Sequence, residues 1–238
     1  MNRIKHILLA LFILSPVLGF AQRRVSADVE VKTLVGNNVT TVTKSVYCSN
    51  NGRLVTYFHS PMEYIMETNI LGESKIYFPN TNEVYVDNSG AMNASDELLS
   101  VFLFGRIDDL GLSLAGYSLK STERLEDGLV KKTYSTTRNN LPPRAEIVYN
   151  KDYLPIYSAT LTEDGHPTVK VYYSKYDLVG YTPFPHRSTE VIYNSQKDST
   201  IIRTIYSDIK LDGNDAMFDF SVPQNAKPLD MSAAAQKK

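Results

Sequence analysis

Asn93–Gly116 reads NASDELLSVFLFGRIDDLGLSLAG, and from Leu98 to Phe104 every position but Ser100 is apolar. At 100° per residue these side chains point nearly all round a helix and leave it no wet face. The run is far too short to cross a bilayer, which takes about 20 apolar residues. Such a helix has to be covered on every side, by protein or by something the protein carries. Asn93 or Ser95 would cap it, Asp96 and Glu97 suit its first turn, and Gly105 is a stop. Asp108 and Asp109 would open a second short turn carrying Leu110, Leu112 and Leu114.

On both sides of this segment the pattern changes to that of short β-strands. Val29 and Val31 alternate with Asp28, Glu30 and Lys32. Val39–Cys48, Arg53–His59, Met62–Thr68, Ser74–Phe78 and Glu83–Asp87 follow, parted by turns such as Asn51-Gly52 and Leu71-Gly72-Glu73. After the helical segment, strands are predicted over Tyr117–Leu125, Leu129–Thr136, Arg144–Asn150, Pro155–Thr162, Thr168–Asp177, Ser188–Asn194, Thr200–Leu211 and Met217–Val222. Sixteen tyrosines against no tryptophan fit a sheet whose side chains reach water at one end.

The ends of the chain carry different signals. Met1–Ala21 has a basic start (Arg3, Lys5), an apolar stretch (Ile7–Leu18) and small residues at Gly19 and Ala21, which together predict a cleaved secretory signal peptide. Residues 22–228 then form one domain, and 229–238 is a small, polar tail. Such a signal predicts export from the cytoplasm. A net charge of −1 argues against a nucleic-acid partner. Cys48 is the single cysteine, so the core must hold by packing, and the thiol reads as a small buried hydrophobe.

No motif for metal binding, phosphate binding or nucleophilic catalysis appears. His59, His166 and His186 stand far apart, each near a proline, and read as loop or strand-end residues. The expectation is a protein with no enzymatic activity, metal or cofactor. A hydrolase would need a polar triad assembled by the fold.

Regular short strands with one compact helical insertion predict a mainly β protein: a strongly curved antiparallel sheet, an incomplete barrel, with the helical segment covering its concave face. The apolar cavity between them is expected to be lined by Tyr64, Met66, Ile76, Phe78, Val84, Val86, Leu99, Phe102, Leu103 and Phe104. In water Leu99, Phe102 and Phe104 close onto the sheet, since burying each Leu or Phe is worth about 1.5–3 kcal/mol. An acyl chain offers the same surroundings and could replace them.

The order of motifs resembles that of the LolA-like outer-membrane lipoprotein carriers and lipoprotein-sorting proteins. Gly52–Val55 through Pro61 looks like their glycine-led strand ending in proline. Glu73–Val86 looks like their hairpin, Asp109–Tyr117 like the helical segment after it, and Arg187–Asn225 like the closing strands. The resemblance implies an unclosed barrel that holds a lipoprotein's acyl chains for transfer across the periplasm. It also implies the periplasm of a Gram-negative bacterium as the location, with donor and acceptor partners at the two membranes; the expected state is a monomer. Two features depart from it. Strand pattern starts by Val29, where the carriers begin with a helix, and Phe58-His59-Ser60 supplies no arginine before Pro61 to tie the lid. An alternative of another class is a sensor or scaffold module of the same fold that binds an envelope protein.

Overall fold

The structure, a computed structural model, describes residues 23–89, 94, 97–193 and 199–229. The signal-peptide reading of Met1–Ala21 lies outside them, as do Asn93, Ser95, Asp96 and the tail beyond Leu229.

Two meanders make one sheet. The first contains β1 (Arg24–Val35), β2 (Asn38–Ser49), β3 (Leu54–Ser60), β4 (Tyr64–Thr68), β5 (Ser74–Phe78) and β6 (Glu83–Asp87). The second contains β7 (Ser118–Arg124), β8 (Val130–Ser135), β9 (Arg144–Tyr149), β10 (Pro155–Leu161), β11 (Pro167–Val179), β12 (Thr182–Tyr193) and β13 (Ser199–Leu211). Antiparallel pairing of β1 with β13 joins them, and β14 (Lys227–Pro228) runs parallel to β6. The result is a curved, open sheet in the order β14-β6-β5-β4-β3-β2-β1-β13-β12-β11-β10-β9-β8-β7.

This order explains the helical segment. The chain leaves β6 near one edge and enters β7 at the other, so the connection has to cross a face of the sheet. An apolar crossing segment buries itself on that face. α1 (Leu98–Leu103) and α2 (Leu112–Ala115) lie there, and their side defines the inner face. α1 ends in a Schellman arrangement at Gly105 (φ 66°): Gly105 N–H donates to Phe102 O and Arg106 N–H to Val101 O, both at 2.9 Å. At the second turn the Asp109 carboxylate accepts from Gly111 N–H (2.9 Å) and Ser113 N–H (3.1 Å), the role its sequence position predicts.

Three apolar clusters divide the molecule. On the inner face, Leu99 and Phe102 of α1 pack on Val25, Ala27, Val46, Cys48 and Phe184. Further along the same face, Leu110, Leu112 and Ala115 pack on Tyr134, Ile147 and Tyr149. On the outer face Val55, Ile65 and Tyr77 are covered by Met217, Phe220 and Val222.

That third cluster corrects a sequence reading. Met217–Val222 is not a strand. Its first part is a 3-10 turn, Ala216–Asp219, started by the Asp215 carboxylate accepting from Met217 N–H at 2.9 Å. The rest is a strap whose apolar side chains press on the sheet without pairing to it. Likewise β12 starts at Thr182 rather than Ser188, because Pro183 and Pro185 are tolerated opposite Leu178 and Tyr176 in the hairpin with β11.

The β2–β3 turn depends on Gly52, whose φ is +83° and whose missing Cβ would collide with Cγ2 of Ile70. Gly52→Ala is therefore expected to cost about 1–3 kcal/mol in urea unfolding. An unchanged midpoint and slope would contradict this turn geometry.

Candidate functional site

The site is built around the start of α1. Helix initiation calls for a side-chain acceptor at the N-cap, yet Glu97, the N-cap residue, makes no capping bond and is extended (φ −75°, ψ 128°). Its carboxylate reaches down to the sheet. Tyr206 Oη on β13 donates to Glu97 Oε1 at 2.8 Å, and Lys44 Nζ on β2 pairs with Oε2 at 3.4 Å. Lys44 and Tyr206 both sit opposite Val29 of the intervening β1, so the tether spans three adjacent strands at one level. Its side chains are only 18% (Lys44) and 12% (Glu97) exposed, which limits screening by water and salt. Burial and the neighbouring Glu97 charge push the Tyr206 hydroxyl far up, so it stays a donor.

Leu99 is fully buried beneath α1, and Phe102 meets the Phe184 ring edge-on (5.2 Å, 77°). Phe184 in turn meets Tyr206 at 5.2 Å and 87°. Ser100 Oγ donates to the buried Cys48 Sγ at 3.5 Å. Burial and the Glu97 charge raise the Cys48 thiol strongly, so this cysteine is an inert hydrophobe, as its isolation in the sequence predicts.

The ten residues expected to line a cavity separate into groups. Leu99, Phe102 and Leu103 pack in the inner cluster; Phe104 lies outside it, half-buried, with the Arg106 guanidinium 5.5 Å from its ring. Tyr64, Met66, Ile76 and Phe78 share the inner face with Leu54, as the pairings Leu54–Thr68, Thr56–Met66 and Met66–Ile76 require. Tyr64 stacks on Phe58 (4.2 Å, 13°) and approaches Phe78 (5.9 Å), making an aromatic row on three neighbouring strands. Val84 and Val86 are on the outer face. Val84 pairs with Tyr77 and packs under the C-terminal strap, while Val86 is 50% exposed. Their inner-face counterparts on β6 are Glu83, Tyr85 and Asp87.

Sequence reasoning misses Lys44, Phe58, Phe184 and Tyr206. Phe184 sits between two prolines and reads as loop, and the partners of Glu97 are 53 and 109 residues away from it. Past the tether the inner face holds a small recess of about 130 Å³, roofed by Leu110 and Leu112 and floored by Ile147, Val171 and Tyr173. Beside it, burial raises the carboxyl of Glu190.

A serine, a histidine and an aspartate do meet on the outer face, but in the wrong order for a hydrolase. Ser45 Oγ lies 2.6 Å from Asp28 Oδ1 and 2.8 Å from His59 Nε2. The serine is the middle member, so its one proton goes to the carboxylate and His59 has to donate to it. A nucleophile needs the opposite, a ring nitrogen accepting from the hydroxyl. Among the described residues, no three His, Cys, Asp or Glu side chains are grouped to hold a metal ion.

Release of α1 can be read at Cys48. Glu97→Gln removes the carboxylate from Lys44, and a weakening of about 1 kcal/mol raises the open population about fivefold. Labelling of Cys48 by a thiol reagent in the folded protein is expected to speed up by that factor. An unchanged rate would mean that the tether does not hold α1 down.

Solved structures share this architecture. A LolA superfamily protein of Nitrosomonas europaea superposes with a TM-score of 0.54 at 10% identity, over 79% of this chain and 85% of its own. A DUF1329 family protein of Desulfovibrio piger gives 0.58 at 12% identity, over 88% and 93%. A domain described as a putative outer membrane lipoprotein-sorting protein, from Vibrio parahaemolyticus, gives 0.55 at 14%, over 80% and 86%. No family model and no curated protein sequence matches the chain.

Proposed function

From a LolA-like fold, with an apolar helix tethered across its inner face, we propose that this protein is a periplasmic carrier. It holds the acyl chains of a lipid or lipoprotein against the inner face for transfer towards the outer membrane, without catalysis. The observation that carries the reading is an apolar helix tied to the inner face by one polar tether, Glu97 to Lys44 and Tyr206. Leu99 and Phe102 fill that face in the closed form, and the separate recess under Leu110 and Leu112, about 130 Å³, is well below the roughly 300–1,000 Å³ of a ligand site. Loading therefore requires α1 to lift.

The energetics allow this. Exposing Leu99 and Phe102 costs about 1.5–3 kcal/mol each, and an acyl chain regains about 0.8 kcal/mol per methylene. About four to eight methylenes offset the loss, well within one lipid chain. Glu97, Lys44 and Tyr206 take the place of the lid-tying arginine that the family resemblance implies. Once α1 moves, the aromatic row Phe58–Tyr64–Phe78 extends the apolar floor.

Purified protein is expected to bind a fluorescent fatty acid or a triacylated peptide at micromolar concentration. Well-folded protein that binds neither would contradict the carrier. The close packing beneath α1 also favours a second reading, a non-enzymatic sensor or scaffold that binds an envelope protein. Capture of a partner unaffected by delipidation would support that one.

A further inference from the structure

A second concavity lies outside the inner cluster, where α1, α2 and the β2–β3 turn meet. It is a groove of about 720 Å³, within the range of small-molecule sites. Val101, Phe104, Leu112 and Leu114 give it apolar walls, and Arg106 and Arg138 stand on its lining. No carboxylate of a described residue lines it. Among the described residues, neither arginine belongs to an ion pair. The nearby Asp109 is occupied by two backbone N–H groups.

Arg138 is held in place by the shape of the chain. It packs over Gly116, where a Cβ would come within 2.5 Å of its Nε, and Gly116 has the positive φ (+93°) that glycine tolerates. Arg106 rests against the Phe104 ring. Two guanidinium groups without acidic partners among the described residues, in a groove part polar (Asn50, Asn51) and part apolar, are complementary to one kind of ligand: an anionic head with an apolar tail. The planar fork of Arg suits phosphate or carboxylate oxygens.

We propose that this groove binds the head of an anionic lipid between Arg106 and Arg138, with the start of its tail on Phe104, Val101 and Leu114. The inference deepens the carrier reading, since it assigns charge to the cargo, and it rests on that reading for the tail alone.

The test is a titration of the full chain with dodecyl phosphate, kept below its micelle concentration, against uncharged dodecyl maltoside and inorganic phosphate. Dodecyl phosphate is expected to bind at least tenfold more tightly than the maltoside. That preference should fall to near unity in Arg106→Gln/Arg138→Gln and weaken with added salt. Leu114→Glu, at a position already 51% exposed, should repel the same head without disturbing the fold. Equal binding of both detergents, unchanged by the substitutions, would overturn the anion site while leaving the carrier standing. Inorganic phosphate binding as well as dodecyl phosphate would overturn the amphiphile, and so would binding to phosphatidylglycerol vesicles but not to the monomeric detergent. Binding of no amphiphile at all would contradict both readings.

Discussion

Phe184→Ala is expected to lower the unfolding free energy by about 3–5 kcal/mol, a large part of the roughly 5–15 kcal/mol that holds a domain together. The side chain is fully buried and meets Phe102 of α1 on one side and Tyr206 of the tether on the other. Truncation opens a cavity at a side chain that touches both α1 and the tether. Thermal and urea unfolding should both register it, and α1 should loosen with it, making Cys48 more reactive before global unfolding. Val86→Ala is the matching control. Val86 is half-exposed on the outer face, and its truncation should stay within about 0.5 kcal/mol. Equal effects at the two positions would mean that the inner cluster is not where the stability lies.

The contrast between these two valine and phenylalanine sites shows what a sequence can carry. A helix apolar all round is legible because its requirement, burial on every side, is local. The meander is legible because its turns are marked by Gly36, Gly52, Gly72 and Gly165, each at positive φ. Alternation states that Val84 and Val86 share a face. Which face it is depends on a strap more than 130 positions later in the chain, where Met217, Phe220 and Val222 make the outer surface of this wing dry. The same apolar spacing that marks a strand in that strap serves packing alone.

Glu97 carries the same lesson. At the head of a helix a carboxylate is adequately explained by the helix dipole. Its actual partners, Lys44 and Tyr206, are brought to it only when β2, β1 and β13 align. No arginine stands before Pro61, and α1 is tied to the sheet by residues of β2 and β13. The position of the helical segment is thus legible in the sequence, and the means of holding it is a property of the assembled sheet.

Whether α1 moves decides the function. Ser100 Oγ lies 3.5 Å from Cys48 Sγ, so Ser100→Cys places two sulfurs where a small side-chain adjustment reaches the disulfide distance of about 2.05 Å. Oxidation then fixes α1 to β2, and loss of free thiol reports closure. Binding of a fluorescent fatty acid is expected to be lost in the oxidised protein and restored by dithiothreitol. An oxidised, fully cross-linked protein that binds as tightly as the reduced one would contradict the claim that α1 is a lid displaced by acyl chains.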